Sequence, residues 1–181
     1  MVINTNEIWI PRHLILDVDG VFTDGKIYYS ETGKFFKVFG PDDHDAINAI
    51  REKISITVVS ADSSGLDITK RRIEGDLKLE VNLVGSKDRA NWIAKRFDPA
   101  ECVYMGDGIF DHYVMREVGY AISPANGDKS AKESAHFITE RSGGDRAVAE
   151  ACLHIMKSFF IPFDQLCLTD GKTMFSGDWS V

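Results

Sequence analysis

Cysteine, surplus positive charge and long apolar runs are all scarce in this chain of 181 residues. The three cysteines (Cys102, Cys152 and Cys167) are an odd number without close spacing, so they predict neither a disulfide framework nor a zinc set and favour a reducing, cytoplasmic compartment. The net charge of -7 argues against nucleic acid as the main partner. No apolar run approaches the length of a membrane span, and the polar N-terminus lacks a signal core, so no membrane association is expected.

What is present is the composition of an ordinary globular domain, with 44% apolar and 27% charged residues. We expect one domain, with its core over about residues 12–160 and an irregular tail over about 161–181. Apolar runs predict strands, and the segments between them predict helices. This alternation favours an α/β fold with a doubly wound, mainly parallel sheet. The predicted strands are 14–17, 54–60, 77–84, 102–105, 119–123 and 136–138; the predicted helices include 40–53, 90–97, 128–134 and 146–160.

A β-hairpin interrupts this alternation and is expected to project from the sheet. Two aromatic, β-rich runs, Lys26–Ser30 and Lys34–Phe39, flank a short turn that contains Gly33. The hairpin carries more apolar surface than a free flap should expose. Burial against another subunit and burial against the chain's own core are both open. The aromatic residues concerned are Tyr28, Tyr29, Phe35 and Phe36.

Two aspartates follow the first predicted strand. The apolar run before Asp17 is typical of a strand buried on both faces, and ligands of such sheets bind beyond the carboxyl ends of the strands. Because strand side chains alternate between faces, Asp17 and Asp19 can share a site only if a turn, which Gly20 permits, re-aims Asp19. One carboxylate could then attack a phosphoryl group while the other transfers protons, and Mg²⁺ would offset their charge.

Spacing separates this interpretation from its alternatives. A solvated strand end is the simplest one, and a calcium loop is excluded because Phe22 and Tyr28 occupy the positions that need Gly and Glu. A glycosyltransferase-type Asp-x-Asp remains open on this stretch alone. The fourth predicted strand, however, leads into Asp107 between two glycines, with Asp111 one helical turn later. Parallel strands would bring Asp107 to the edge that holds Asp17, which favours a metal site and which a glycosyltransferase does not require.

Three further groups of polar residues lie at the ends of predicted elements. The loop Asp42-Asp43-His44-Asp45 is more acidic than helix capping requires and is expected to face the site. Ser60 ends the second strand, where its hydroxyl could bind a phosphoryl oxygen or simply cap a helix. Lys87 and Arg89 could place a cation on phosphate, although basic residues near a helix are usually solvated.

These stretches resemble the four motifs of the haloacid dehalogenase superfamily, which fall on residues 17–23, Ser60, the Lys87/Arg89 region, and Gly106-Asp107 with Asp111. More closely, the chain is similar to the capless phosphatases typified by 3-deoxy-D-manno-octulosonate 8-phosphate phosphatase. That branch includes the phosphatase domains of some acylneuraminate cytidylyltransferases. The similarity covers roughly residues 12 to 157 and is carried by 17–25, 27–29, 104–107 and 138–141 with Gly143-Gly144.

The resemblance implies a Mg²⁺-dependent phosphomonoesterase in which Asp17 is the nucleophile and Asp19 the general acid/base. Magnesium would be held by the Asp17 carboxylate, the Asp19 backbone carbonyl and Asp107, with Asp111 in support. The resemblance also implies a homotetramer in which the hairpin of one subunit closes the site of the next. The implied phosphate contacts are Ser60, Arg89, Lys87 and Gly20, and the candidate substrate contacts are Thr23, Asp43, His44 and Asp62.

Three departures from the branch lie on the substrate side. Asp62 stands where the branch has Arg, so it is expected to repel an anionic substrate group or pair with a cationic one. The lysine of the third motif aligns with Arg89 rather than Lys87. The branch has a more glycine-rich substrate loop where this chain has the acidic loop 42–45, and Asp43 aligns with the aspartate of that loop. We therefore expect a sugar or nonulosonate phosphate of surface-glycan synthesis, other than the octulosonate phosphate itself, as substrate.

Other functions remain as alternatives. The main one is a catalytically weak oligomerisation or regulatory module associated with a nucleotidyltransferase. Asp62 and the displaced lysine favour it, whereas the complete set of Asp17, Asp19 and Asp107 opposes it. A phosphomutase ranks lower because the chain has no obvious cap domain, and a phosphate-accepting receiver domain does not explain the Asp-x-Asp-Gly run.

Overall fold

The computed structural model describes residues 9–160; the first eight residues and the predicted tail from 161 onward, with Cys167, lie outside that range. The strands are β1 (His13–Asp17), β2 (Tyr28–Ser30), β3 (Gly33–Phe36), β4 (Ser55–Ser60), β5 (Val81–Leu83), β6 (Cys102–Met105), β7 (Tyr120–Ser123) and β8 (Phe137–Ile138). The helices are α1 (Asp43–Ile50), α2 (Leu66–Ile73), α3 (Arg89–Ala94), α4 (Asp111–Met115), α5 (Lys129–Ser134) and α6 (Ala147–Phe159).

Six strands form one parallel sheet in the order β5-β4-β1-β6-β7-β8. The chain runs outward from β1 through β4 to β5 and then returns past β1 to begin the other half at β6. The strand order therefore reverses beside β1, and open α/β sheets bind ligands at such a point, beyond the carboxyl ends of the strands. Asp17 pairs in register with Val59 and Leu16 with Met105, so the chain segments that follow β1, β4 and β6 leave the same edge.

The two faces of the sheet are covered by different helices because the residues of β1 alternate between them. Leu14 and Leu16 pack into a cluster with α1, α2 and α6, whereas Ile15 packs on the other face with Tyr104 and with α3, α4 and α5. All these strand residues are fully buried, as expected for a central parallel strand. The alternation puts Asp17 on the side of α3 and α4.

The predicted elements are found, but several are shorter than expected. The strand predicted over 77–84 pairs only over Val81–Leu83, since Lys78 has a φ of 57° and breaks the extended backbone before pairing begins. The predicted helix 40–53 is confined to Asp43–Ile50, because Asp42 is left-handed and cannot continue a helical turn toward Gly40. Arg146 is left-handed in the same way, so α6 starts one residue later than predicted.

The predicted hairpin is a separate antiparallel pair formed by β2 and β3. Its aromatic side chains do not fold back over the core of their own chain: Tyr29 is 69% exposed and Phe35 65% exposed. Tyr28 stacks on Phe36 with ring centroids 4.4 Å apart, and both remain more than 40% exposed. Of the two alternatives for this surface, burial against the chain's own core is therefore wrong for the described residues.

Two further predictions from the composition can be compared with the structure. Cys102 and Cys152 are buried free thiols. Among residues 9–160, no helix combines the length and the apolar character that crossing a membrane requires.

Candidate active site

Asp17 and Asp19 are brought to one edge by a tight turn over Val18–Phe22. Asp17 is the last residue of β1, and the turn closes with a hydrogen bond from the Thr23 N–H to the Val18 carbonyl oxygen, at 3.1 Å. Inside the turn Asp19 stays extended and Gly20 has a φ of 86°, which other residues adopt only with strain. The backbone thus makes the predicted glycine turn, which directs Asp19 away from the alternation of the strand.

Gly20 is also required for space. A Cβ atom at this position would lie 1.9 Å from Oδ2 of Asp107, so the Asp107 carboxylate rests on the bare Cα. The Gly20 carbonyl accepts a hydrogen bond from Nδ2 of Asn126 at 2.9 Å, and Oδ1 of Asn126 accepts from the Gly143 N–H at 2.6 Å. The glycine therefore lets the loop after β6 approach the turn after β1 and carry an aspartate into it.

The sequence predicts Thr23 as a substrate contact, but the hydrogen bonds of its side chain are with the turn itself. The side chain is buried, and Oγ1 accepts hydrogen bonds from the Gly20 N–H at 3.2 Å and the Gly25 N–H at 3.3 Å. These bonds use the hydroxyl to satisfy backbone donors that the turn leaves unpaired. The structure thus gives Thr23 a supporting role in the loop that carries Asp19.

Three carboxylates meet at this edge. One oxygen from each of Asp17, Asp107 and Asp111 lies within 4.8 Å of the others. Burial raises the pKa of Asp17 from 3.8 to about 6, an effect that Arg89 opposes and Asp111 reinforces. Burial and the nearby charges of Asp17 and Asp111 raise the pKa of Asp107 to about 7. Ionising all three together is therefore costly unless a cation joins them.

A buried arginine supplies part of that positive charge. Arg89, the first residue of α3, donates from Nη1 to Asp17 Oδ2 at 2.6 Å and from Nη2 to Asp17 Oδ1 at 2.9 Å. The same Nη1 contacts Asp111 Oδ1 at 3.0 Å and the Tyr104 hydroxyl at 2.9 Å. Tyr104 in turn donates to Asp111 Oδ1 at 2.6 Å, and burial raises its pKa well above 10, which keeps the proton on its hydroxyl.

The two candidates for the third-motif cation are placed differently. Arg89 is buried against Asp17, whereas Lys87 is exposed, with its Nζ 5.2 Å from the centre of the Phe110 ring. Arg89 is therefore the one that contacts the carboxylate cluster. A planar guanidinium can grip both oxygens of a carboxylate, which a lysine ammonium at the same point cannot do.

Asp19 points toward the other side of the turn. Its Oδ2 accepts a hydrogen bond from Ser60 Oγ at 3.4 Å, and its Oδ1 lies 2.7 Å from Nζ of Lys37, a residue just after β3. Lys37 Nζ also lies 2.9 Å from Asp62 Oδ2, and Lys34 is paired with Asp62 Oδ1. Asp62 is thus compensated by two lysines of its own chain, so its charge is not free to repel a substrate anion.

The residues of the acidic loop at the start of α1 lie in different environments. Asp43 is buried, and its Oδ1 accepts a hydrogen bond from the Ala149 N–H in α6 at 3.0 Å. Burial raises the pKa of Asp43 from 3.8 to about 7. Asp42 instead pairs with Arg146 on the surface, and His44 is half-buried. Substrate binding by Asp43 would require its carboxylate to leave the α6 contact.

Sequence reasoning missed three residues of this network: Lys37, Tyr104 and Asn126. Tyr104 lies in a strand that is otherwise apolar, where a buried hydroxyl needs a partner, and that requirement was a signal for it. Lys37 directly follows the hairpin, whose sequence pattern predicted only an aromatic surface. The contact between its ammonium and Asp19 depends on how the hairpin is placed in the folded chain, which the local sequence does not indicate. Asn126 lies in a loop with no distinctive pattern.

The donor set fits a magnesium ion. Asp17, Asp107 and Asp111 offer hard carboxylate oxygens, which Mg²⁺ prefers. The cluster contains no soft sulfur ligand of the kind that favours zinc or copper. Their raised pKa values and their mutual proximity are the expected signs of an acidic site that a cation would stabilise.

The parallel sheet carries Asp-x-Asp at the end of its central strand, and a second acidic turn after the neighbouring strand faces it. This arrangement, on an α/β fold, is that of the haloacid dehalogenase class of hydrolases. Comparison with known proteins narrows this class. No protein-family model matches the chain. The 3-deoxy-D-manno-octulosonate 8-phosphate phosphatase KdsC of Salmonella typhi is 30% identical over 166 residues, which cover 89% of this chain and 81% of the relative.

Solved structures agree with this result. The Moraxella catarrhalis 3-deoxy-D-manno-octulosonate 8-phosphate phosphatase, solved with magnesium, phosphate and KDO, superposes with a TM-score of 0.73 at 27% identity, covering 82% of this chain and 87% of that one. The cobalt-bound Haemophilus influenzae phosphatase shares the fold, with a TM-score of 0.74 at 24% identity over 84% and 91% of the two chains. The present chain belongs to the KdsC family of haloacid dehalogenase-type phosphatases. It is thus a phosphatase of phosphoric monoesters, and a purely structural module is not supported.

Proposed function

We propose that this phosphatase is Mg²⁺-dependent and works through an aspartyl-phosphate on Asp17. The observation that carries the proposal is the convergence of Asp17 with Asp107 and Asp111 at the switch point of the sheet, beside a buried arginine. Asp17 and Asp107 would hold the magnesium ion with the Asp19 backbone carbonyl, and Asp111 would support it. When bound, the ion supplies charge neutralisation that lets an anionic phosphoryl group approach an anionic nucleophile.

The protein residues divide the remaining work. Asp17 attacks phosphorus through one carboxylate oxygen, while the Val18 N–H, 2.7 Å from Oδ1, orients the carboxylate. Arg89 offsets charge on Asp17 and is the proposed cationic contact of a phosphoryl oxygen. Asp19 donates a proton to the leaving alkoxide and then removes one from the water that hydrolyses the aspartyl-phosphate. Ser60, beside Asp19, is the proposed donor to a phosphoryl oxygen.

The proposed substrate is the phosphate ester of an acidic sugar, either a 3-deoxyoctulosonate or a nonulosonate. The names of the curated relatives support the first of these. The expectation that the substrate is not the octulosonate phosphate rested on three departures at the substrate side, of which Asp62 was the one that put a negative charge in place of a positive one. That charge is paired with Lys34 and Lys37. Both sugar classes therefore belong in the first test.

A homotetramer is part of the same proposal. The exposed hairpin aromatics form an apolar surface on a single subunit, and exposed surface of this kind is typical of a protein interface. The proposed partner of this surface is a second copy of the chain, as the family resemblance implies. Closure of one subunit's site by the hairpin of the next would then exclude water during phosphoryl transfer.

The test is phosphate release from a panel of sugar phosphates with and without Mg²⁺. The panel contains 3-deoxy-D-manno-octulosonate 8-phosphate, a nonulosonate 9-phosphate and hexose 6-phosphates. We expect the wild type to release phosphate from an acidic sugar phosphate only with the metal, and Asp17→Asn to lose at least about 10³-fold in kcat. Asp67→Asn is the matched control, because it makes the same chemical change at an exposed position of α2. Activity retained by Asp17→Asn, or equal loss in both variants, would contradict the proposal.

A further inference from the structure

Lys37 is a lysine buried between two carboxylates. Its side chain is fully inaccessible, and Nζ lies 2.7 Å from Asp19 Oδ1 and 2.9 Å from Asp62 Oδ2. It also donates to Thr69 Oγ1 in α2 at 3.1 Å. Burying an ammonium is unfavourable unless it is paired and hydrogen-bonded, and these three oxygens meet that requirement.

Asp62, in the loop after β4, is the second carboxylate that holds Lys37. It accepts from the Gly65 N–H at 3.0 Å and pairs with Lys34 as well as Lys37. Burial alone would raise the pKa of Asp62, but the hydrogen bonds from the two lysines outweigh burial and hold it well below its usual range. The loop after β4 and the end of the hairpin are therefore joined by ion pairs to Asp62.

Asp19 itself has few other constraints. It lies in a turn with an extended backbone next to a left-handed glycine, and its only other hydrogen bond or ion pair from a side chain in the described residues is the 3.4 Å bond from Ser60. Lys37 makes the shorter contact, on the opposite carboxylate oxygen. Oδ1 faces an ammonium that can only donate, so Oδ2 is the oxygen available to exchange a proton with substrate or water.

We propose that Lys37 is a positioning residue that holds the Asp19 carboxylate in its working orientation, and that Asp62 in turn holds Lys37. The proposal rests on the proposed role of Asp19 and deepens it. Proton transfer needs the donor oxygen within hydrogen-bond reach of the leaving oxygen, and a displacement of about 1 Å can cost about 100-fold in rate. Asp62 thus serves the internal geometry of the site rather than recognising a charged group of the substrate.

The chain provides a matched pair of lysines for the test. Lys34 and Lys37 both contact Asp62, but only Lys37 reaches Asp19. We expect Lys37→Met to lower kcat by about 10- to 100-fold with KM changed less than about threefold, and Lys34→Met to change both by less than about threefold. Lys37→Gln, which keeps a donor, should recover part of the loss and serves as the test variant if Lys37→Met does not fold.

Crystal structures of the same variants give a readout that does not depend on turnover. The Asp19 side chain should leave its present orientation in Lys37→Met and keep it in Lys34→Met. Equal kinetic losses in the two variants, a change confined to KM, or an unmoved Asp19 would overturn the proposal. If the wild type hydrolyses no sugar phosphate, the proposed function fails, while the orientation of Asp19 in the crystals still decides the role of Lys37.

Discussion

Asp43 makes the stability of this protein depend on pH in a way that one substitution should remove. Its carboxylate is buried at the start of α1, where Oδ1 accepts from the Ala149 N–H and Oδ2 has no hydrogen-bond partner among the described residues. Burial raises its pKa from 3.8 to about 7, and the nearby Asp42 adds to that effect. Folded protein therefore keeps a proton on Asp43 over a pH range in which the unfolded chain has lost it.

The sign and size of the effect follow from this difference. Because the folded state binds more protons between pH 4 and 7, the contribution of Asp43 is fully present below about pH 4 and is lost as pH rises toward 7. A shift from 3.8 to about 7 corresponds to at most about 4 kcal/mol, at 1.36 kcal/mol per unit. Asp43→Asn cannot ionise, and its amide oxygen can still accept from Ala149.

The assay is urea unfolding of wild type and Asp43→Asn at several pH values from 5 to 8, without added metal. The difference in unfolding free energy should move in favour of the variant by about 1 kcal/mol per pH unit up to pH 7 and then level off. Asp17 and Asp107 titrate in both proteins, so their effect cancels in the difference. Parallel pH profiles for the two proteins would refute the argument.

Three other predictions follow from particular contacts. Gly20→Ala should lower Mg²⁺ affinity by about 10- to 100-fold in isothermal titration, because the new methyl group displaces Asp107; unchanged affinity would contradict the close approach. Tyr104→Phe should destabilise the fold by about 1–3 kcal/mol in urea, since Oδ1 of the buried Asp111 loses the shorter of its two hydrogen bonds and keeps only the one from Arg89; an unchanged midpoint would count against the network. Light scattering should find a tetramer that Tyr29→Ser with Phe35→Ser dissociates, whereas a monomeric wild type would exclude the hairpin interface.

The sequence was sufficient to predict the parallel sheet and the convergence of Asp17 with Asp107. Both predictions depend on strong local signals, namely apolar runs that end in aspartate and glycine. The strand Cys102–Met105 was predicted at its observed bounds for the same reason. Element ends that depend on single left-handed residues, such as Lys78 and Arg146, could not be placed, because nothing in the local pattern marks them.

The ion pairs around Asp19 could not be predicted from the sequence, for a different reason. Asp62 alone indicated an unusual charge at the substrate side, and its effect could only be assigned once its neighbours were known. Lys34 and Lys37 are 28 and 25 positions away in the chain, and they reach Asp62 through the placement of the hairpin. Long-range ion pairs of this kind leave no periodic signal in a single sequence.

The most direct test of the account is to trap the covalent intermediate. Wild-type protein is mixed with Mg²⁺ and substrate labelled with ³²P, quenched within a single turnover, reduced with borohydride, digested and mapped by mass spectrometry. The proposed mechanism predicts modification at Asp17 alone, as homoserine, and none in Asp17→Asn. Phosphate release without any labelled protein at early times, or modification at Asp19 or another residue, would contradict the proposed mechanism.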